Sequence, residues 1–262
     1  MSLLFGNISK ILNDFSQSLT SNLRNHSLFR KSKEKPVSPY IILRATRDDY
    51  NQVLQEMHES YYPDEPTFAS LGIQKNAFMD EDTMRMMAQG LTLVARCRYD
   101  SCIVGACINE SSNPWDPALK EKFACSVSCP KVRQVTLFDA YLQRMPGLWD
   151  CYDTQRVFEM SYLFVKRDHR KKGIGVRLLR DSRALAADCG FQVVRCDATS
   201  AYTAKLCEKI GMKMIYELPY CNYLGQQTLE PVFQPPPPHT SVKVYVDDHP
   251  QLSVLKDEKT KR

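Results

Sequence analysis

Between residues 40 and 230 the hydrophobic positions switch repeatedly between two periods, and the switching outlines a fold. Tyr40 to Ala45 reads as a strand, and Thr46 then caps a helix on which Tyr50, Val53, Leu54, Met57 and Tyr61 share one face. Tyr62-Pro63-Asp64-Glu65-Pro66 is a loop, because two prolines bar a helix. A second helix is expected over Glu81 to Ala88. Leu91 to Cys97 and Cys102 to Ile108 read as strands joined by the turn Arg98-Tyr99-Asp100-Ser101. Ser111 to Val132 is polar and without a period, Thr136 to Gln143 is helical, and Val157 to Val165 is a strand. The last stretch runs helix (Gly175 to Asp188), strand (Gln192 to Cys196), helix (Tyr202 to Ile210), strand (Met212 to Leu218). That order predicts a mixed α/β sheet with right-handed crossovers.

The two ends differ from the middle. Residues 1–39 are rich in Ser, Asn and Lys and close on the basic run Arg30-Lys31-Ser32-Lys33-Glu34-Lys35. Within them Leu4, Ile8, Ile11, Leu12, Phe15, Leu19 and Leu23 recur at helical spacing. A transit peptide or a membrane-surface helix shows such a face, but Asp14 and the scarcity of early Arg weigh against both. The expectation is a mobile basic arm. Pro235 to Pro238 continues neither a helix nor a central strand, so residues 233–262 read as a Pro-rich then polar tail and 40–232 as the domain.

Composition narrows the function classes. The chain has 262 residues, 43% of them hydrophobic, which is enough to bury a sizeable core. It lacks a run of about 20 apolar residues, so a soluble protein without a transmembrane segment is expected. A net charge of +5 is too mild for a nucleic-acid partner. The ten cysteines follow no zinc spacing; only Cys125 and Cys129 are close in a polar segment, and no His is nearby, so no metal is implied. With no secretory signal peptide, free thiols and a cytoplasmic location are expected, mitochondrial targeting by residues 1–35 being the alternative.

The chemistry concentrates after Val165. The strand ending there meets Lys166-Arg167-Asp168-His169-Arg170-Lys171-Lys172-Gly173-Ile174-Gly175-Val176, and a periodic helix follows. Backbone N–H groups at a helix start lack internal partners and attract anions. Two glycines let backbone approach a phosphate, and Arg170, Lys171 and Lys172 add positive charge. The physical reading is a pyrophosphate cradle; the bland alternative is a helix cap with a solvated basic face. The glycines fit neither G-x-G-x-x-G nor a Walker motif.

Arg170-Lys171-Lys172-Gly173-Ile174-Gly175 does fit R/Q-x-x-G-x-G/A, and the segment resembles the GNAT acyltransferase superfamily, whose turn binds the pyrophosphate of acetyl-CoA. Asp197 to Met212, with Glu208-Lys209-Ile210-Gly211-Met212 in place of E-K-L-G-F, resembles the family's last strand, helix and turn. Tyr62-Pro63-Asp64-Glu65-Pro66 is similar to the D-E-P loop of the insect-type arylalkylamine N-acetyltransferases, which acetylate dopamine, serotonin, octopamine and tyramine. The resemblance implies a mostly antiparallel central sheet flanked by helices. Strands ending near Val165 and Cys196 should splay where acetyl-CoA enters. It places Leu163, Val165, Arg170, Lys171, Lys172, Gly173, Ile174, Gly175 and Val176 at the cosubstrate.

Acetyl transfer to an amine needs a proton acceptor, a polarised thioester carbonyl and a stabilised thiolate. The resemblance makes Glu65 the general base. It also puts Thr199 and Thr203, one helical turn apart, where those enzymes carry two assisting hydroxyls; capping the helix is the other reading for Thr199. Cys207 stands where many relatives carry an acidic tyrosine and reads as a packing residue. Glu159 and Ser161 stand where vertebrate melatonin-pathway enzymes carry two histidines, which makes Glu159 the reserve base. Because no Ser or Cys lies in a nucleophile motif, direct transfer is expected. The expected partner is a small primary amine. The rivals are another amine class (polyamine, aminoglycoside, peptide N-terminus) and a non-catalytic acyl-CoA-binding module.

Overall fold

The computed structural model describes residues 38–225 and 228–251. The apolar pattern at 4–23, the basic run at 30–35 and residues 252–262 lie outside the described residues. Strands β1 (Tyr40–Arg44), β2 (Leu93–Cys97), β3 (Ile103–Ser112), β4 (Val157–Val165), β5 (Val194–Ala198), β6 (Lys213–Pro219) and β7 (Ser241–Asp247) form one sheet ordered β1-β2-β3-β4-β5-β7-β6. Every adjacent pair is antiparallel except β4 and β5. The helices are α1 (Tyr50–Ser60), α2 (Pro66–Leu71), α3 (Ala77–Ala88), α4 (Asp116–Ser126), α5 (Pro130–Arg144), α6 (Leu148–Cys151), α7 (Ile174–Asp188) and α8 (Ala201–Lys209). The fold is the mixed α/β, mostly antiparallel one expected.

Apolar side chains cover both faces of the sheet. On one, Val53, Met57, Met86, Phe138 and Leu142 from α1, α3 and α5 pack on Val94, Ile108, Tyr162 and Phe164. On the other, Leu178, Leu179, Ala204 and Cys207 from α7 and α8 pack on Ala95, Cys107, Phe158, Cys196 and Tyr245. Each large apolar side chain so buried contributes about 1.5–3 kcal/mol.

Two irregularities in β4 shape the site. Its register with β3 shifts between Ile108 and Asn109, which pair with Tyr162 and Met160 and leave Ser161 as the extra residue. A bulge of this kind reverses the alternation of side chains: Phe158 and Met160 belong to the α7 side, Tyr162 and Phe164 to the opposite one. The parallel pairing of β4 with β5 covers only Phe158↔Val194 and Glu159↔Arg195. Beyond Glu159, β4 runs on to Val165 paired with β3 alone, so a gap opens between β4 and β5.

Three expectations are corrected. Ser111 to Val132 is not irregular: β3 extends to Ser112, α4 follows, and α5 begins at Pro130, well before Thr136. Of the residues of α4 only Pro117 and Ala124 are buried, so it shows no apolar stripe to read. The helix expected at Glu81 starts at Ala77, where the Asn76 side-chain oxygen Oδ1 accepts from the Phe78 amide. The polar tail over 233–262 is overturned most plainly. Ser241–Asp247 is an interior strand between β5 and β6, with Val242, Val244, Tyr245 and Val246 buried, so the sheet continues past residue 232.

Candidate active site

Glu65 is built into the structure as a helix cap. Pro66 takes the first position of α2, and one Glu65 carboxylate oxygen, Oε2, accepts hydrogen bonds from the Phe68 amide at 2.7 Å and the Thr67 hydroxyl at 2.5 Å. The other oxygen, Oε1, is buried and has no hydrogen-bond partner. The residue is only 5% exposed. Burial pushes its carboxyl above the ordinary range, against the pull of the Thr67 and Phe68 donors and of the nearby Thr199 hydroxyl.

Glu65 borders a cavity of about 50 Å³ lined also by Tyr61, Phe68, Met86, Ser161, Tyr162 and Thr199. The bulge is the reason Ser161 and Tyr162, neighbours in sequence, both face it. Four more carboxylates line the space: Glu110 on β3, Asp139 on α5, Glu159 on β4 and Asp197 on β5. Lys120 of α4 lines it too.

The carboxylates differ in how they are compensated. Asp197 takes a two-point hydrogen bond from the buried Arg195, at 2.7 Å each, and Arg195 also grips the carbonyls of Leu142 and Gln143 at the end of α5. Glu159 accepts from Gln143 Nε2 at 2.8 Å. Glu110 accepts from the Ser161 hydroxyl at 3.1 Å, and Arg85 stands 3.5 Å away. Burial pushes Glu110 up to about 7, Lys120 pulling it down and Glu159 pushing it further up. Asp139 also rises to about 7, through burial first and then Glu65, Glu159 and Asp197, with Lys120 opposing.

Beside the gap, β4 passes through a short turn into α7. Gly173 caps that helix at φ +80°, a left-handed conformation that favours glycine, and a Cβ there would meet nothing within 4 Å. The space in front of α7 is open, its first-turn amides have no intrahelical acceptors, and Lys171 and Lys172 are exposed beside it. These features fit a pyrophosphate. Ile174 is buried, Val176 half-buried, and Leu163 and Val165 line the α7 side of β4.

Two of the expected cradle residues also make contacts within the protein. A Cβ on Gly175 would lie 3.1 Å from Leu206 Cδ1 and 3.9 Å from Val165, so this glycine permits the close packing of α7. Arg170 donates to the Val165 carbonyl at 2.8 Å and pairs with Asp64 at 2.6 Å; Arg167 holds the same carboxylate at 2.6 Å. Burial opposes ionisation of Asp64, and the two guanidiniums outweigh it and hold the carboxyl below its usual range. The guanidinium of Arg170 thus ties the turn to the loop that carries Glu65.

The two threonines do not share the cavity. The helix begins only at Ala201, capped by the Ser200 hydroxyl, so Thr199 precedes it and the one-turn spacing does not apply. Thr199 lines the cavity, whereas Thr203 is half-buried elsewhere. His169 is hydrogen-bonded to the Tyr40 hydroxyl at 3.1 Å, and Cys207 is buried in the core. All ten cysteines are free. Among the described residues no helix is long and apolar enough to cross a membrane, and no cluster of metal-ligating side chains occurs.

Residues 47–212 match the acetyltransferase (GNAT) family. Mosquito arylalkylamine N-acetyltransferase like 5b is similar in structure, with a TM-score of 0.75 and 26% identity over 79% of this chain and 99% of that one. Arylalkylamine N-acetyltransferase 2 from Aedes aegypti gives 0.74 at 22% identity, over 80% and 99%. The Drosophila melanogaster polyamine N-acetyltransferase, which forms N-acetylagmatine, gives 0.74 at 23% identity, again over 80% and 99%.

Proposed function

The chain belongs to the acetyltransferase (GNAT) family, and from that membership we propose that it acetylates an arylalkylamine, such as dopamine, serotonin, octopamine or tyramine, with Glu65 as general base. The observation that carries the reading is the state of Glu65, with one oxygen tied to its own helix and the other buried, unpartnered and beside the cavity. A resting amine is an ammonium and must lose a proton before it attacks a carbonyl. A carboxylate raised by burial is a better acceptor for that proton than an exposed one. Glu159, the reserve base, already accepts a hydrogen bond from Gln143. Thr199 stands beside Glu65 and steadies the charged carboxylate; Thr203, outside the cavity, takes no part.

Acetyl-CoA supplies the acyl group as a thioester. Lys171, Lys172 and the first amides of α7 are the groups that would hold its pyrophosphate, and Leu163 and Val165 border the gap it would occupy. No cysteine is among the residues lining the cavity, which supports direct transfer. Tyr61, Phe68 and Tyr162 give an aromatic acceptor surfaces to pack on.

The surplus of carboxylates favours a second reading, a diamine or guanidino-amine acceptor, and the Drosophila relative forms N-acetylagmatine. A panel of amines with acetyl-CoA, followed by release of free thiol and mass of the product, tests both. Acetylated arylalkylamines support the first reading. Cosubstrate binding without product from any amine would instead identify a non-catalytic binding module.

A further inference from the structure

The acid wall of the cavity presents a charge problem that the fold itself answers. Glu110 and Glu159 are register partners on β3 and β4, directly opposite one another, and are only 3% and 6% exposed. Like charges facing each other across an antiparallel pair are destabilising, and burial removes the water that would soften the repulsion. Asp139 adds a third carboxylate from α5. The nearby cations are largely engaged elsewhere: Arg195 by Asp197, and Arg85, more than half exposed, by Asp82 at 3.0 and 2.7 Å. Lys120 remains. It lines the cavity from α4, and burial would lower its ammonium, but Glu110, Glu159, Asp139 and Asp82 together hold it well above its usual value. Among the described residues it forms no ion pair within 4 Å, so its charge serves the wall as a whole rather than one partner.

Resting on the reading of the cavity as the acceptor site, we propose that Lys120 determines acceptor specificity. Its ammonium occupies the position that the second cation of a diamine would need, so the cavity takes amines with one positive charge and an uncharged tail. The acid wall and the aromatic lining then cease to conflict. Glu65 faces the reacting amine, Lys120 supplies a positive charge to the wall of Glu110, Glu159 and Asp139, and the ring of the acceptor packs on the surface of the Tyr61, Phe68 and Tyr162 cluster. Methionine at position 120 would keep most of the aliphatic stem and leave the wall in need of a cation.

The test compares kcat/KM for tyramine and for 1,4-diaminobutane in the wild type, Lys120→Met and Lys120→Arg. The wild type should prefer tyramine. Lys120→Met should move the ratio at least tenfold toward the diamine, and Lys120→Arg should keep the wild-type ranking. A smaller shift, or a wild type that already prefers the diamine, overturns the proposal. Calorimetric titration of 1,4-diaminobutane reads the same point without turnover. Binding should be at least tenfold tighter in Lys120→Met, and a smaller gain overturns the assignment even if no amine is acetylated. Acetylation of no amine by the wild type would defeat the proposed function while leaving this titration decisive. Should Lys120→Met fail to fold, Lys120→Gln takes its place in the titration, judged by the same tenfold criterion.

Discussion

Replacing Glu65 with glutamine separates the chemistry of this residue from its structural duty. The glutamine carbonyl oxygen can accept from the Phe68 amide and the Thr67 hydroxyl as Oε2 does, so the cap of α2 survives and its NH₂ replaces the unpartnered Oε1. Only proton acceptance is lost. A positioned base contributes roughly 10²–10⁴-fold, so kcat should fall by that factor, about 2.7–5.5 kcal/mol of barrier. Glu65→Ala, by contrast, also removes the cap on the Phe68 amide, costing about 1 kcal/mol, and strands the buried Thr67 hydroxyl at about 1–3 kcal/mol more. Steady-state assays at several pH values, with acetyl-CoA affinity measured by calorimetry, distinguish the cases. For Glu65→Gln, affinity should be unchanged, and the defect should shrink as pH rises toward the amine's own pKa, where free amine arrives without help. The acidic limb of the wild-type kcat/KM profile, displaced above the usual carboxylate range, should vanish. A Glu65→Gln enzyme within a few-fold of wild type, with Glu159→Gln severely impaired, would refute the reasoning and move the base to β4.

Other outcomes follow from the same geometry. Gly173→Glu should abolish acetyl-CoA binding with the fold retained, whereas Gly175→Ala should mainly lower stability, by about 1 kcal/mol, since it presses α7 against Leu206; calorimetry and thermal melts read the two. Burial pushes Asp139 and Glu110 up to about 7 in the native protein, against about 4 for exposed carboxylates, so the native state holds extra protons in that window. Stability should therefore fall as pH rises from about 4 to about 7, and Asp139→Asn should flatten the slope of melting temperature against pH; equal slopes would contradict this. Asp64→Asn releases both guanidiniums that hold the loop. It should cost under about 1 kcal/mol in a thermal melt, because those pairs are partly exposed, yet lower kcat by loosening Glu65.

Legibility in the sequence followed pattern strength. Helix α7 was expected from Gly175 to Asp188 and runs from Ile174 to Asp188, because its apolar stripe is periodic and a glycine marks its start. Glu65 was found through the likeness of a five-residue loop to a known one, not through periodicity. Asp139, Glu110 and Lys120 were missed. Two of the three lie on α4 and α5, where polar side chains face an internal cavity and break the rule that polar faces look outward. Asp139 could have been noticed as an acidic residue within the run Val135, Phe138, Leu142. Strand β7 was lost to its neighbours: its alternating valines follow four prolines, and composition outweighed period. Motif position marks Arg170 and Gly175 for phosphate but does not reveal their contacts with Asp64 and Leu206, which depend on segments distant in sequence.

The place of β7 also fixes the order in which this protein can be finished during synthesis. Strands β5 and β6 are made first but are not neighbours in the sheet; each waits for the last strand to slide between them. Roughly twenty residues separate the end of β6 from the start of β7, about 1–4 s of translation at ordinary rates. For that interval the nascent chain carries two open strand edges, the feature that most readily recruits other chains. The part of the sheet beyond β5 is completed only when β7 has emerged.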